Sequence, residues 1–570
     1  MRATPRLTVR VVGLATALVV GLGGCAVSLT VGPPLVTHGV ASGDVTSTDV
    51  VIWSRASRAS RMTVEYTPAP GLVWPPRRQD GPEVAAADDF TGKVVLSGLS
   101  PSTAYLYWVR FADPRTGAET VSETGYFRTL PADDATRPVT LLWWGDVGGQ
   151  GYCRDPERGY PLFNQMAQVA PDLVIANGDS VYVDGTCWAF GGFGDQPDQL
   201  WNVVSADPET AAFQQSPATS TAYQSDAEVL RAFRAKWKYN WEDAAFRRLR
   251  ALAAHYFQWD DHEVINDWYP GDDRVGAIRG TQDTRPVTPL IKAGRKTFLE
   301  YTPTRPAREG QLYRSVRLGK LAELFVLDTR SHRDDNVLPD APGTVLNARV
   351  ASGELRVLRG KAKSILGPAQ RDWLLQGLQN AQRRGVVWKI IATSDSLSSP
   401  SGSYELFAPA GAMTPRYTIR DGWAAGMRLN ADTDGNQGNP TGFESELRTI
   451  LVAIKSAAIT NVVWVASDVH YARLLRYEPR GELAGLVFHE FVAGPAHARS
   501  ASPRVLSTTF GPQELFVRGR AAPPTQPSFW NFGVLKITER ELIVEIRDIA
   551  GSVPSDDQGR AGTLRLAPAP

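Results

Sequence analysis

Five apolar, strand-like segments of this 570-residue chain end on acidic side chains. In chain order, the endings are Gly145-Asp146, Gly178-Asp179, Asp260-Asp261-His262-Glu263, Ser394-Asp395 and Ser467-Asp468-Val469-His470. A single aspartate after a strand is usually a turn residue or a helix cap. Five such endings are hard to explain by caps alone, and crowded carboxylates repel one another unless positive charge holds them. The pattern therefore predicts a centre of two adjacent metal ions.

The segments that position these acids alternate with helix-like segments. Strand-like residues 139–146, helix-like residues 160–170 and strand-like residues 172–179 form a βαβ unit, whose two strands should be parallel. Neighbouring strands lie about 4.8 Å apart, so two terminal carboxylates can reach one cation. Ligands of open α/β sheets gather at the carboxyl ends of the strands. Residues 134–565 are predicted to be one α/β domain of this kind.

The N-terminal part of the chain has a different pattern of predicted elements. Residues 35–130 contain short alternating segments separated by turns, and the pattern of Leu99, Pro101, Tyr105 and Tyr107 is common in fibronectin type III-like sandwiches. This region is predicted to be a fibronectin/Ig-like β-sandwich. The polar, proline-bearing segment 129–138 is interpreted as the linker to the α/β domain.

The first 25 residues predict export. A basic start and the apolar run Val11–Val20 are typical of a signal peptide, and Leu22-Gly23-Gly24-Cys25 resembles the bacterial lipoprotein cleavage box. We expect residues 1–25 to be a lipoprotein-type signal peptide and the chain to be attached to a membrane of the cell envelope through lipidated Cys25. Simple cleavage, with an extracellular or periplasmic product, and an uncleaved anchor are the alternatives.

The cysteines and the net charge give two further expectations. Outside the cell a disulfide between Cys153 and Cys187 is favoured, although a free thiol or a metal-ligand role is also open. Lys and Arg number 61 against 60 Asp and Glu. A balanced net charge argues against a general nucleic-acid binder, which needs a basic surplus. It does not argue against a small anionic substrate.

Several motifs carry a family resemblance. Gly178-Asp179-Ser180-Val181-Tyr182 has the G-D-x-x-Y spacing of purple acid phosphatases. The wider match resembles the PhoD-like alkaline phosphatase and phospholipase D family of the calcineurin-like metallophosphoesterases. It runs from about residue 36 to 550 and rests on HGVASGDVTSTDVVIW (38–53), WDDHEVINDW (259–268), LDTRSHR (327–333) and SDVHYA (467–472). The resemblance implies an α/β metallophosphoesterase domain of two mixed sheets packed together with flanking helices, after the N-terminal sandwich.

The resemblance also implies a ligand set. The first cation would be surrounded by Asp146, Asp179, Tyr182 and His470, with Asp179 bridging to the second. Asp261, Asp395 and Asp468 would hold the second cation. The chain departs from the general superfamily pattern, because Asp261 stands where many members have Asn, and Asp395 and Asp468 stand where many have His.

These departures predict the metals. A tyrosinate such as that of Tyr182 is a good ligand for ferric iron. A second site of carboxylate oxygens without imidazole suits a hard cation. We therefore expect Fe(III) in the first position and a hard divalent cation in the second, with Ca²⁺ favoured over Mn²⁺ and Mg²⁺. A zinc hydrolase without iron is the alternative.

Two cations a few ångströms apart suit hydrolysis of a phosphoester by an activated water. His262, next to Asp261, is the predicted general acid for the leaving alcohol, with Glu263 or Asp260 to orient it. Candidate phosphate contacts are Arg154, Arg330 and Asn266, although Arg330 is equally suited to a structural ion pair. His489 and His497 are expected to be structural.

The predicted enzyme is therefore an alkaline phosphatase and phosphodiesterase that acts on a small phosphoester. A phospholipase D acting on phospholipid headgroups is the alternative, and a catalytically inactive surface binding protein is a second one. Loops at 150–160, 184–225 and 400–442 are expected to set the selectivity. The sequence leaves the oligomeric state open.

Overall fold

A computed structural model describes most of the chain between residues 32 and 569. The described residues are 32–69, 71, 73–187, 202–271, 284–305, 310–334, 362–398, 423, 442–503, 506–507, 509–519 and 529–569. Residues 1–25, which are predicted to be a signal peptide, lie outside them, as do most residues of the 400–442 loop and residues 188–201 of the 184–225 loop. None of the helices so described is long and apolar enough to cross a membrane.

Three sheets organise the described strands. The first has the order β21-β20-β19-β9-β10-β11-β1-β2-β5, the second β12-β13-β14-β15-β17-β16-β18, and the third β4-β3-β6-β7 with β8 paired to β6. The strands are β1 (Val36–Gly43), β2 (Val50–Ala56), β3 (Ser60–Ala69), β4 (Arg77–Val84), β5 (Thr91–Leu96), β6 (Ala104–Ala112), β7 (Glu119–Val121), β8 (Gly125–Arg128), β9 (Val139–Trp144), β10 (Leu173–Asn177), β11 (Ala254–Gln258), β12 (Arg314–Leu318), β13 (Ala322–Val326), β14 (Trp388–Ala392), β15 (Val462–Ala466), β16 (Ala472–Tyr477), β17 (Phe488–Val492), β18 (Pro512–Arg518), β19 (Asn531–Ile537), β20 (Leu542–Asp548) and β21 (Thr563–Leu566).

Seven α-helices flank these sheets in the described residues. They are α1 (Leu162–Gln168), α2 (Pro208–Gln214), α3 (Asp226–Trp241), α4 (Ala244–Leu252), α5 (Thr288–Tyr301), α6 (Gly367–Arg383) and α7 (Glu444–Ser456). Side chains cap the starts of α2, α3 and α4. Ser225 and Glu228 form a capping box at the start of α3, and the Asp243 side chain caps α4.

The predicted βαβ unit is confirmed. Strands β9 and β10 are parallel, with Leu141 opposite Leu173, and α1 connects them. Strands β10 and β11 are parallel as well, and so are β11 and β1. In the second sheet β13, β14, β15 and β17 are parallel neighbours. Each sheet therefore has four parallel strands at its centre, and the acidic endings belong to these strands.

The two large sheets pack face to face, with helices outside. Residues Trp143 and Trp144 are adjacent in β9 and point to opposite faces, as the pleat requires. Trp143 belongs to the core between the sheets and donates from Nε1 to the Ala466 carbonyl at 3.2 Å. Trp144 packs outward on helix residues such as Phe163 and Phe246. The resulting layers match the predicted pair of mixed sheets with flanking helices.

The N-terminal region forms the predicted sandwich in a way that the sequence did not suggest. Its third sheet packs on β1, β2 and β5, and one core includes Ile52 and Val94 with Tyr107 and Phe127. Strands β1, β2 and β5, however, belong to the first large sheet, because β1 pairs with β11. The domain boundary at 130–134 stays a prediction, since this sheet runs across it.

Two antiparallel hairpins extend the large sheets, β12 with β13 and β19 with β20. Helix α5 and the antiparallel strands β16 and β18 were not predicted. The Pro289 start of α5 and the buried Leu290, Ala293 and Phe298 face of that helix are signals that could have found it.

Candidate metal centre

The candidate centre lies at the carboxyl ends of the parallel strands of both large sheets. Among the described residues, three groups of acidic and histidine side chains bring ligand atoms within 4.8 Å of one another. They are Asp146, Asp179 and His470; Asp179, Asp261 and His262; and Asp260, Asp261 and Asp468. Asp179 belongs to the first two groups, and Asp261 to the last two. Groups that share a carboxylate could hold adjacent ions.

The first group receives residues from both large sheets. The Tyr182 hydroxyl lies 2.9 Å from His470 Nε2, and His470 Nε2 lies 3.7 Å from Asp146 Oδ1. The Nδ1 atom of His470 donates to the Arg499 carbonyl, so Nε2 is the ring nitrogen that can bind a cation. All four residues predicted to surround the first cation thus lie together, and their role as ligands stays a prediction.

The second group is built around His262. The backbone N–H of His262 donates to Asp179 Oδ1 at 3.1 Å, and Nε2 lies 3.9 Å from Asp261 Oδ1. Nδ1 lies 2.7 Å from Asp184 Oδ1. Burial opposes protonation of the ring, but the Asp184 and Asp261 carboxylates outweigh it and raise the pKa of His262 to about 9. The ring is therefore protonated at neutral pH when no cation competes for Nε2.

Left-handed backbone geometry places four of these side chains. The φ angles are 65° at Asp146, 49° at Asp179, 67° at Asp468 and 61° at His470. Residues with a Cβ rarely adopt such angles, and Asp and His are among those that do so more often. The chain thus turns sharply as soon as each strand ends. This explains why these positions carry Asp or His rather than β-branched residues.

Glu263 fixes the relative position of two strand ends. Its buried carboxylate accepts backbone N–H groups from Asp179 at 3.2 Å, Ser180 at 2.6 Å and Asp260 at 2.8 Å. Gly178 allows the close approach, because it has a φ of 94° and a Cβ there would lie 2.6 Å from Asp260 Cβ. Glu263 was predicted only as a possible partner of His262, and its contacts show that it holds backbone instead.

The chemistry of the group fits cations. Oxygen atoms of Asp146, Asp179, Asp261 and Asp468 are buried without a hydrogen-bond partner in the described chain. Burial, followed by neighbouring acids such as Asp260 and Asp261, raises the pKa of Asp146, Asp179 and Asp468 well above its usual range. Such carboxylates are costly to bury unless positive charge compensates them. Metal ions would supply that charge.

Asp395, predicted as a ligand of the second cation, is placed differently. None of the three groups found in the described residues includes it. Its Oδ1 lies 3.5 Å from Arg330 Nη2, and its Oδ2 lies 4.0 Å from Arg333 Nη1, all fully buried. Asp260, which was not predicted as a ligand, takes part in the third group instead. The repeated acid of the Asp260-Asp261 pair was the available signal.

The candidate phosphate contacts are engaged within the protein. Arg154 forms an ion pair with Glu242 at 3.0 Å and covers the Tyr239 ring. Arg330 is fully buried, with Nε 2.5 Å from Asp260 Oδ1. The Asn266 amide donates to Asp267 at 2.6 Å, although Asn266 is partly exposed beside the centre. Asp184, which orients His262, was also missed, because its spacing from His262 gives no local signal.

A disulfide closes the loops beside Tyr182. Cys153 and Cys187 are bonded, as favoured from the sequence, with their Cα atoms 5.6 Å apart. His497 lies next to this bridge, since its Nε2 donates to the Cys153 carbonyl at 2.9 Å and its N–H to the Asp146 carbonyl at 3.0 Å. His489 lies on β17. Neither histidine belongs to one of the three ligand groups of the described chain.

Comparisons with known proteins agree with this architecture. A family model described as PhoD-like phosphatase matches residues 141–542, and one described as the N-terminal domain of PhoD-like phosphatase matches residues 24–131. The chain is 26% identical over 454 residues to alkaline phosphatase D of Bacillus subtilis (strain 168). That match covers 76% of this chain and 64% of the relative, so the chain spans just under two thirds of its length.

Two solved structures share the fold. A structure of PhoD superposes with a TM-score of 0.61 at 18% identity, covering 94% of this chain and 89% of the other. A purple acid phosphatase from yellow lupin (Lupinus luteus) seeds superposes with a TM-score of 0.50 at 10% identity, covering 94% and 74%. Because the first family model alone matches well over half of the residues, the chain belongs to the PhoD-like phosphatase family.

Proposed function

We propose that the chain is a metal-dependent phosphoester hydrolase, acting as an alkaline phosphatase and phosphodiesterase. One observation carries the proposal: three overlapping groups of buried acids and histidines meet at the strand ends of two sheets, with carboxylate oxygens that lack partners among the described residues. A catalytically inactive binding protein would be expected to have lost such ligands. Membership of a phosphatase family supports the same reading.

Bound cations would supply Lewis acidity, which neutralises phosphate oxygens and makes water a better nucleophile near neutral pH. The residues of the chain would hold the cations, leave one side open to the substrate and donate a proton. The first group would hold one cation and Asp179 would bridge to the other. The partly exposed side chains of Asp468 and Asn266 mark the side from which a substrate can approach. His262 Nε2 lies 3.9 Å from Asp261 Oδ1, within the second ligand group.

His262 acts as the general acid in this proposal. Asp184 holds the Nδ1 proton, which orients the ring and leaves the Nε2 proton to be donated to the leaving oxygen. The geometry also allows Nε2 to bind a cation, because His262 belongs to the second ligand group. The two roles differ in protonation, because an Nε2 atom that carries a proton cannot bind a cation.

Leaving-group dependence tests this role. We expect His262→Gln to slow hydrolysis of an alkyl phosphate by about 10²–10⁴-fold. Nitrophenyl phosphate should be affected far less, because nitrophenolate leaves without a proton. Metal content measured by elemental analysis should stay at the wild-type value. An equal loss on both substrates, together with a lost metal equivalent, would assign His262 as a ligand instead.

The metals are proposed as Fe(III) in the first group and a hard divalent cation, Ca²⁺ before Mn²⁺ or Mg²⁺, in the other. Burial and then the Asp179 and Asp146 carboxylates raise the pKa of Tyr182 well above its usual range, so a strongly charged cation is needed to hold the phenolate. An iron–phenolate pair gives a visible charge-transfer band. That band should disappear in Tyr182→Phe, whereas colourless protein containing only zinc would contradict the assignment.

The substrate class is proposed as a small mono- or diester of phosphate, with phospholipid headgroups as the alternative. The aromatic segment 186–201 of the 184–225 loop, which is expected to set the selectivity, lies mostly outside the described residues. Initial rates on nitrophenyl phosphate, its diester and phosphatidylcholine vesicles would separate these classes. Activity on none of them with metal-replete, folded protein would contradict the proposal.

Export and lipid attachment are proposed from the leader sequence. The disulfide between Cys153 and Cys187 agrees with an oxidising compartment. Labelling cells with a radioactive fatty acid should mark the wild-type protein but not Cys25→Ala. An unlabelled wild-type protein in the membrane-free fraction would argue for simple cleavage.

A further inference from the structure

The segment that carries Asp184 is held by a buried lysine of helix α3. Lys236 is 4% exposed, and its Nζ atom donates to the Gly185 carbonyl at 2.8 Å and to the Gln214 carbonyl at 3.1 Å. We propose that Lys236 is a positioning residue of the reaction, which holds Asp184 where it can orient the general acid His262. This inference rests on the proposed function and adds to it a residue outside the three ligand groups.

The surroundings of the Lys236 ammonium group explain why it is tolerated inside the protein. Its hydrogen bonds within the described chain go to two backbone carbonyls and to no carboxylate. Burial of a cation without an ion pair is costly and lowers the pKa of Lys236 to about 7, while the charge of Asp184 opposes that shift. The two carbonyls and the nearby Asp184 carboxylate therefore offset the cost of burying this cation.

One face of α3 supports the chain on both sides of Tyr182. Asn240 follows Lys236 by four residues, so the two side chains lie on the same face of the helix. Asn240 Nδ2 donates to the Ser180 carbonyl at 2.9 Å, while Lys236 donates to the Gly185 carbonyl. The helix thus supports the whole segment between these two carbonyls.

Val183 has supports of its own. Its N–H donates to the His262 carbonyl at 2.9 Å, and its carbonyl accepts the Ala218 N–H at 2.7 Å. Tyr182 directly precedes Val183, so we expect the tyrosine to keep its place when Lys236 is changed. Loss of Lys236 should therefore displace the residues after Val183 and leave the first ligand group intact.

Asp184 is the residue that such a displacement would affect. Its Oδ1 lies 2.7 Å from His262 Nδ1, and its Oδ2 accepts the Asn266 N–H at 3.0 Å. Because Gly185 is the next residue, a shift of the Gly185 carbonyl also moves the Asp184 backbone. The His262 ring would then lose the partner that orients it. Misplacement of a reacting group by about 1 Å can cost about 10²-fold in rate.

Gln214, the last residue of α2, links Lys236 to the disulfide. Its carbonyl accepts from Lys236 and from the Cys187 N–H at 2.8 Å, and its Nε2 donates to the Cys187 carbonyl at 3.0 Å. Cys187 is bonded to Cys153. The segment from Asp184 to Cys187 is therefore held near its start by Lys236 and at its end by Gln214 and the disulfide.

Leaving-group dependence tests the proposal on the full-length, metal-loaded protein. Lys236→Met keeps a side chain of similar length but removes the ammonium group, so we expect kcat on an alkyl phosphate to fall by about 10–100-fold. On nitrophenyl phosphate kcat should stay within about twofold, because nitrophenolate leaves without a proton. KM and the metal content should keep their wild-type values.

Lys238→Met is the matched control. Lys238 is another buried lysine of α3, and it pairs with Asp207 and Glu209, each at 3.3 Å. Its substitution should leave kcat on both substrates at the wild-type value. An equal loss on both substrates in Lys236→Met would show that Lys236 only supports the fold, and an undiminished rate on the alkyl phosphate would show that it does not act on Asp184. Either result overturns the inference.

A double-mutant cycle separates this inference from the proposed function. In the His262→Gln protein, Lys236→Met should slow the alkyl phosphate by less than about twofold further, because the acid is already lost. Losses that multiply would overturn the inference. If His262→Gln itself shows no leaving-group dependence, the proposed general acid is contradicted. If only Lys236→Met lacks that dependence, the proposed acid stands and the role of Lys236 falls.

A second variant covers the case in which Lys236→Met does not fold. Lys236→Gln keeps a shorter buried donor and removes the charge, and the same two substrates are compared at a temperature below its melting point. We expect a loss on the alkyl phosphate alone, smaller than that of Lys236→Met. Equal rates or equal losses on the two substrates would again overturn the inference.

Discussion

The two large sheets contribute to the centre in opposite ways. The first sheet ends in Asp146, Asp179 and the Asp260–Glu263 segment, whose acids are buried. Backbone N–H groups hold the Glu263 and Asp179 carboxylates, and neither carboxylate oxygen of Asp146 has a hydrogen-bond partner among the described residues. The second sheet ends in Arg330, Asp395 and the Asp468–His470 segment, where arginines already compensate part of the negative charge. The acids of the first sheet supply negative charge that bound cations must compensate. The arginines of the second sheet reduce the charge that remains for those cations.

This difference predicts what substitutions in each sheet will do. Changes at the ends of the first sheet should remove metal and activity while relieving charge repulsion in the metal-free protein. Substitutions among the arginines of the second sheet should lower the stability of the fold more than they lower catalytic turnover. The following experiments test this contrast, from the largest effect to the smallest.

The largest effect is expected for Asp179→Asn. Asp179 belongs to two ligand groups, so its loss should lower turnover of nitrophenyl phosphate on the order of 10³-fold, as for other groups that stabilise transition-state charge. Asn has nearly the same shape and removes a buried charge, so the melting temperature in chelator should rise. Loss of activity with a lower melting temperature in chelator would point to misfolding and break the comparison.

Asp184→Asn should have a smaller effect. Without the carboxylate the pKa of His262 falls from about 9 toward lower values, because burial then dominates. We expect activity at alkaline pH to fall roughly tenfold for each unit of that shift, and the alkaline limb of the pH–rate profile to move to lower pH. An unmoved limb would show that the proton on His262 does not control the rate.

Chelation should make stability depend on pH. Burial raises the pKa of Glu263 to about 8 in the metal-free fold, against 4.5 when unfolded. The folded state then binds more protons between these values, so stability is present below about pH 4.5 and is lost as pH rises through 8. We expect the melting temperature in chelator to fall by roughly 5 °C between pH 5 and 8. The metal-loaded protein should lose less over that range.

The smallest effect concerns backbone strain at Asp468. This residue has a φ of 67°, which glycine adopts without cost and alanine does not. In chelator, Asp468→Gly should be more stable than Asp468→Ala by about 1 kcal/mol, measured by denaturant unfolding. Equal stability of the two variants would mean that the turn relaxes when the acid is removed.

The first sheet was also the easier one to predict. Its βαβ rhythm and the acids at 146, 179 and 261 are readable from sequence, because strand, helix and ending follow one another within about forty residues. The second sheet was harder to predict, because Asp395 follows a strand in the sequence just as the candidate ligands do. Its arginine partners come from another strand end, at Arg330 and Arg333. The contact of Asp184 with His262 and the pairing of β1 with β11 were not predicted either, because both join residues that are far apart in the sequence.

The place of β9 in the first sheet sets an order of events during synthesis. This strand, which leads to Asp146, lies between β10 and β19, and β19 begins only at Asn531. Almost four hundred residues must leave the ribosome after β9 before its second neighbour exists. In a nascent or truncated chain that stops before Asn531, β9 has lost its β19 neighbour, and Asp146 follows an edge strand. We therefore expect the first ligand group to be held less rigidly until β19 has been synthesised.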